Sequence, residues 1–302
     1  MVVPPAVSSA ARQASAQAAS ATAAPRKLRL LALCGYLQSA AVFRQRTGSL
    51  RKAVKAKAEL VFAEPPHLAP AAPAMAAQPG SDGSPSDGSA ASEAAGDAGA
   101  CGAAGEASER RAWWVAREQL DDPATPTRPS LSKSYAGVEQ SVEMLEAQLA
   151  SERYDGVIGF SQGAAMAALL LARAAARRQQ QPEADAAFGG PHFGVLVSGF
   201  VPRDARWAAE LSAGGAVALP SMHIYGEGDT LVPTERARAF VEAFDGSMRA
   251  EHPHAGGHGI PTGAEFRQDL RAFLDERLKE AHARDEASRV AEAAAAMGEV
   301  SM

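Results

Sequence analysis

Short apolar runs alternate along this chain with longer stretches in which apolar side chains return every three or four residues. Leu28 to Cys34 is the first run, and its length predicts a buried strand. Val42, Phe43, Leu50 and Val54 then fall near helical spacing, with Arg44, Arg46, Arg51, Lys52 and Lys55 forming a polar face. Glu59 to Ala63 reads as a second strand, stopped by Pro65-Pro66. Val138, Val142, Leu145 and Leu149 predict an amphipathic helix over Tyr135 to Ala150.

The run ending at Phe160 predicts a strand that turns sharply at Ser161 into an Ala- and Leu-rich helix, Gly163 to about Arg178. Gln179 to Gly190 reads as a loop. Phe193 to Ser198 and Met222 to Tyr225 predict two more strands, and Thr234 to Phe244 a helix. A short polar strand near Met248 to His252 follows. Phe266, Leu270, Phe273, Leu274 and Leu278 share one face of a last helix, Thr262 to Lys279. Strands alternating with helices predict an α/β fold, a mostly parallel central sheet with helices on both faces.

Composition trims the folding unit. Of the 302 residues, 46% are hydrophobic, but alanine inflates that share. Residues 1–25 are rich in Ala and Ser, have no acidic residue and lack the apolar core of a secretory signal. They read as a disordered extension or a transit peptide. From Pro70 to about Ser108 almost no large apolar side chain occurs, so that insertion cannot offset the entropy of ordering. From Ala281 the chain reads as a charged, Ala-rich, flexible tail. A single domain over 26–280 remains.

The net charge of -5 is mild, and no basic stripe with interleaved aromatics suggests nucleic acid. No apolar run is long enough to span a membrane. Two cysteines, Cys34 and Cys101, give neither a disulfide framework nor a zinc pattern. A reducing compartment, the cytoplasm, is the expectation; a plastid or mitochondrion is the alternative that the N-terminus leaves open.

The candidate chemistry centres on Gly159-Phe160-Ser161-Gln162-Gly163. Glycines two residues either side of Ser161 are expected to let the backbone turn tightly and expose the hydroxyl above the sheet. A serine hydroxyl needs a histidine to take its proton and an acid to orient that histidine. The hydrolase order is Ser, acid, His, each after a later strand. Asp229 follows the Met222–Tyr225 strand, and His258 follows the polar strand, both in glycine-rich loops.

Each residue has a rival reading. Ser161 could cap an ordinary helix. Asp229 could be a turn residue, with Glu227 and Asp245 as rival acids. His252 and His254 compete with His258. His254 and His258 are four apart, but Gly256-Gly257 between them disfavours the helix a metal pair needs. No metal and no cofactor are expected. The oxyanion donors should be two backbone amides: Gln162, at a helix N-terminus, and Tyr36, after the first strand.

At this point the chain resembles the FSH family of serine hydrolases, which are α/β-hydrolases. The likeness runs from about Leu28 to Leu278. It rests on Cys34-Gly35-Tyr36-Leu37-Gln38, Thr47-Gly48-Ser49-Leu50-Arg51-Lys52, Arg111-Ala112-Trp113-Trp114, Tyr154 to Ala165, Val197-Ser198-Gly199-Phe200, and the Asp229 and His258 loops. The acyl-protein thioesterases share the Gly-Phe-Ser-Gln-Gly stretch but not the Thr47–Lys52 run or the Trp pair in this arrangement.

The resemblance implies a catalytic triad of Ser161, Asp229 and His258, acting on a small-molecule ester or thioester, often an acyl chain. Family members commonly place His before the Gly of the first loop, where this chain has Cys34. A small buried residue ending a strand is the expectation there, in preference to a second nucleophile. A binding protein on the same fold, weakened by that change, is the alternative to an enzyme. A peptidase on the same residues finds no charged specificity pocket in the sequence.

Overall fold

The computed structural model describes residues 26–69, 109–118, 131–181 and 190–299. The expected extension at 1–25, the insertion at about 70–108 and most of the expected loop at 179–190 lie outside the described residues.

Six strands form the central sheet: β1 (Leu28–Leu33), β2 (Ala58–Phe62), β7 (Gly156–Phe160), β8 (Gly194–Val197), β9 (Ser221–Gly226) and β10 (Arg249–His254). Their order is β10-β9-β8-β7-β1-β2, and every pairing is parallel. β1, β7, β8 and β9 are almost wholly buried, as strands covered on both faces must be. β10 is an edge strand, which explains why it tolerates Pro253 and polar side chains.

Two antiparallel pairs were not foreseen. β3 (His67–Leu68) pairs with β4 (Arg111–Ala112), and β5 (Val115–Ala116) pairs with β6 (Tyr135–Ala136). Two residues are too few to set a period of two, so nothing in the sequence marks such strands.

The first predicted helix is two: α1 (Ala40–Arg46) and α2 (Gly48–Val54), parted at Thr47. The Thr47 hydroxyl donates to the Phe43 carbonyl at 2.7 Å and closes α1. α3 (Val138–Ser151) and α4 (Gln162–Gln180) match the amphipathic and apolar segments. α5 (Ala205–Ser212) buries only Trp207 and Leu211, too weak a pattern to predict. α6 is Thr234–Val241.

The last helix departs most. α7 runs from Ala264 to Glu299, where a flexible tail was expected from Ala281. Its second half has little apolar periodicity, but Ala, Glu and Arg are strong helix formers. No described helix is long and apolar enough to cross a membrane.

Right-handed crossovers put α1 and α2 on one face and α3 to α6 on the other. α7 packs against β1 and α2, joining the first face. Beyond β1 the chain crosses toward β2, whereas beyond β7 it crosses toward β8. Opposite departures open a crevice at the strands' C-terminal ends, the place where open α/β sheets hold ligands.

Candidate active site

Ser161 leaves β7 with φ 53° and ψ -115°, a conformation that costs a non-glycine residue on the order of 1–3 kcal/mol. Its amide is held by the Val197 carbonyl at 2.8 Å. Its hydroxyl makes no capping bond to α4, which removes the helix-cap reading. The flanking glycines permit the tight turn as expected, through the room their missing side chains leave and not through positive φ, which neither has. A Cβ on Gly159 would sit 2.3 Å from the Gly163 carbonyl oxygen, and one on Gly163 would sit 2.3 Å from that of Leu33. They let α4 begin directly against β7 and β1.

His258 Nε2 lies 2.9 Å from Ser161 Oγ, and His258 Nδ1 lies 2.7 Å from Asp229 Oδ2. Side-chain exposure falls along this row, from 16% at His258 to 1% at Asp229. Asp229 Oδ1 accepts from the Leu231 and Val232 amides, each at 2.8 Å. Burial alone would push its carboxyl up. The bond from His258 and those two amides outweigh burial and hold it below the usual carboxylate range. The Phe160 ring packs on the imidazole at 5.1 Å between centroids.

The rival residues have other employment. Asp245 is half-buried and ties the Ser247 amide and hydroxyl. His252 pairs with Asp269 at 2.8 Å. His254 Nδ1 accepts from the Gly256 amide, and its pKa is lowered by burial. Glu227 is exposed, and its amide donates to the His254 carbonyl at 2.7 Å, lacing the two loops together.

The loop after β1 is a tight turn. Gln38 N donates to the Gly35 carbonyl at 3.3 Å, with Leu37 alone at positive φ, 65°, the pattern of a type II turn. The Gly35 amide donates to Gln38 Oε1 at 3.0 Å, and the Cys34 thiol to the Gln38 carbonyl at 3.1 Å. Burial pushes the Cys34 thiol far up, so it is no thiolate nucleophile. Where the family commonly has histidine, Cys34 therefore ties the loop. No described residue accepts from the amides of Tyr36 or Gln162.

One arrangement escaped the sequence reading. Gln162 Oε1 accepts from the Trp113 amide at 2.9 Å, and its Nε2 donates to the Trp114 carbonyl at 2.8 Å. Trp113 Nε1 in turn donates to the Cys34 carbonyl at 2.8 Å. The Trp pair thus clamps the start of α4 to the exit of β1. An amide side chain next to the serine was the only signal, and it names no partner.

Comparison with known proteins places the chain in a family. A family model described as serine hydrolase (FSH1) matches residues 22–270. Esterase OVCA2 of Homo sapiens is 34% identical over 255 residues, covering 84% of this chain and 98% of that protein. Esterase OVCA2 of Danio rerio is 33% identical over 249 residues, covering 82% and 96%. Among solved structures, esterase PE8 superimposes with a TM-score of 0.50 at 20% identity, covering 83% of this chain and 93% of that one, a likeness of fold. On the family match and these identities, the chain belongs to the FSH1 family of serine hydrolases.

Proposed function

We propose that the protein hydrolyses carboxylic esters or thioesters through an acyl-Ser161 intermediate. The observation that carries this is the continuous row Ser161 Oγ, His258 Nε2, His258 Nδ1, Asp229 Oδ2, with the serine held in a strained turn at the sheet's ligand edge.

His258 takes the Ser161 proton as Oγ attacks the substrate carbonyl carbon. The carbonyl oxygen becomes an oxyanion, met by the Tyr36 and Gln162 amides. Collapse breaks the bond to the alcohol or thiol, which leaves with the proton from His258. Water then attacks the acyl-serine, with His258 as base again, and the carboxylic acid departs. Asp229 keeps the imidazole in the tautomer that presents Nε2 to the serine. Its lowered pKa supports that role, because an ionised carboxylate stabilises the imidazolium formed in each step.

A fluorophosphonate probe should label the wild type, and Ser161→Ala should abolish labelling. Hydrolysis of p-nitrophenyl esters should fall by roughly 10⁴-fold or more in that variant. Equal labelling of the two proteins would sink the proposal. A panel of esters and acyl-CoA thioesters of graded chain length then ranks the acyl groups accepted.

A further inference from the structure

Beside the serine stands an aromatic wall that carries positive charge. Trp114, whose carbonyl holds Gln162, stacks on Tyr135 at 5.1 Å and meets Phe200 edge-on at 6.4 Å. Phe200 follows the exit of β8, the strand beside β7. The Arg236 guanidinium, from the first turn of α6, lies over the Phe200 ring at 5.1 Å. Arg203 joins the same wall, its amide donating to the Tyr135 hydroxyl at 2.9 Å.

Arg236 has no carboxylate partner among the described residues, and its Nη2 is buried with nothing to receive its protons. The nearby acids are committed elsewhere. Asp229 serves His258 and two amides, and Asp204 accepts from the Tyr135 and Arg206 amides. Burial lowers the Arg236 pKa first, and the like charge of Arg203 lowers it further, against a smaller opposing attraction from Asp229. A half-buried arginine left without an anion is expensive to keep. An anion that enters with the substrate removes that cost.

We propose that Arg236, with Arg203 beside it, receives an oxyanion group, a carboxylate or a phosphate, carried by the ester or thioester substrate away from its reacting carbonyl. This rests on the hydrolase reading of Ser161 and adds a substrate class to it. The aromatic wall holds the intervening apolar segment, and Arg236 selects for the charge at its far end.

Two matched pairs of substrates separate the sources of the anion. Mono-p-nitrophenyl adipate against p-nitrophenyl hexanoate reads a carboxylate. Hexanoyl-CoA against hexanoyl-N-acetylcysteamine reads phosphate. In at least one pair the wild type should favour the charged member by about ten-fold in kcat/KM, and Arg236→Gln should erase that preference through KM. Arg236→Lys should restore part of it. Because Arg236 lacks a carboxylate partner, the Gln variant should keep a Tm close to that of the wild type. A ratio unchanged by Arg236→Gln in both pairs overturns the proposal, and a lowered Tm with that unchanged ratio assigns Arg236 to packing on Phe200.

Binding to the Ser161→Ala background gives the same answer without turnover. The charged member of the responding pair should bind about ten-fold tighter, and adding Arg236→Gln should remove the difference. Equal binding of both members in both pairs overturns the anion site. Absence of turnover in the wild type counts against the hydrolase reading alone.

Discussion

The two ends of the central sheet are built on opposite principles. At the N-terminal ends of the strands, charge is met by charge. Asp155 precedes β7, takes Arg26 Nη2 at 2.6 Å on one oxygen and the Arg29 amide at 2.9 Å on the other, and Arg26 reaches Asp285 of α7 at 2.6 Å. Arg29 pairs with Glu152, and Arg153 with Asp285. At the C-terminal ends, the backbone is strained instead. Leu37, Ser161 and Ser198 are the only described non-glycine residues with positive φ, and they leave three adjacent strands, β1, β7 and β8. Strain gathered at one edge and absent from the other marks where the fold gives up stability for an arrangement of groups.

Three experiments test that division. The largest effect is expected at the strained end. Gly159→Ala forces a Cβ against the backbone of α4, where no flexible side chain can yield. It should cost on the order of 3 kcal/mol and abolish probe labelling, because α4 must move away from β7. Urea unfolding and fluorophosphonate labelling read both effects. A folded, fully labelled variant would break the view that the glycines exist for close approach.

The opposite end should respond in stability alone. Asp155→Asn removes a buried carboxylate from Arg26, which keeps Asp285. The expected loss is about 2 kcal/mol in urea unfolding, with kcat/KM for a p-nitrophenyl ester unaltered. A fall in kcat/KM without a fall in stability would couple the two ends and collapse the distinction.

Between the ends, His223 tests the middle of the sheet. It is buried on β9 among Phe240 and Phe244, its Nε2 3.0 Å from the Ser221 hydroxyl. Burial, with Arg249 nearby, lowers its pKa to about 3. The unfolded chain takes up this proton below about pH 6.5, while the folded protein refuses it until about pH 3. Folding stability should therefore fall as pH drops through that window, by up to about 1.4 kcal/mol per pH unit from this residue. Urea midpoints for wild type and His223→Gln between pH 7 and 5 should show the flatter slope in the variant.

Much of the frame was legible because burial writes itself as apolar runs. β1, β7, β8 and β9 stand out in this way, as does the apolar first half of α4. Ser161, Asp229 and His258 were legible as positions in loops after strands. That His258 and not His252 or His254 meets the serine needed the structure, since all three lie near the end of one strand. Contacts without a sequence period stayed hidden. The Gln162 side chain reaches back to Trp113 and Trp114, nearly fifty positions away. Arg236 looks like any charge in the first turn of a helix until Phe200 is beneath it. The second half of α7 was misread because helix-forming composition without an apolar stripe resembles a solvated tail.

The β3–β4 pair has a consequence for the chain's history. His67 faces Ala112, Leu68 faces Arg111, and the Ala69 amide donates to the Arg110 carbonyl at 2.8 Å. Residues 67–69 and 110–112, which flank the interval 70–108 in sequence, are thus stitched to each other. Doubling the length of chain between two points joined in this way costs only about 0.6 kcal/mol in closure. The interval 70–108 is therefore a place where descendants of this gene can lengthen, shorten or replace sequence without re-aiming Trp113, Gln162 or the serine beside it.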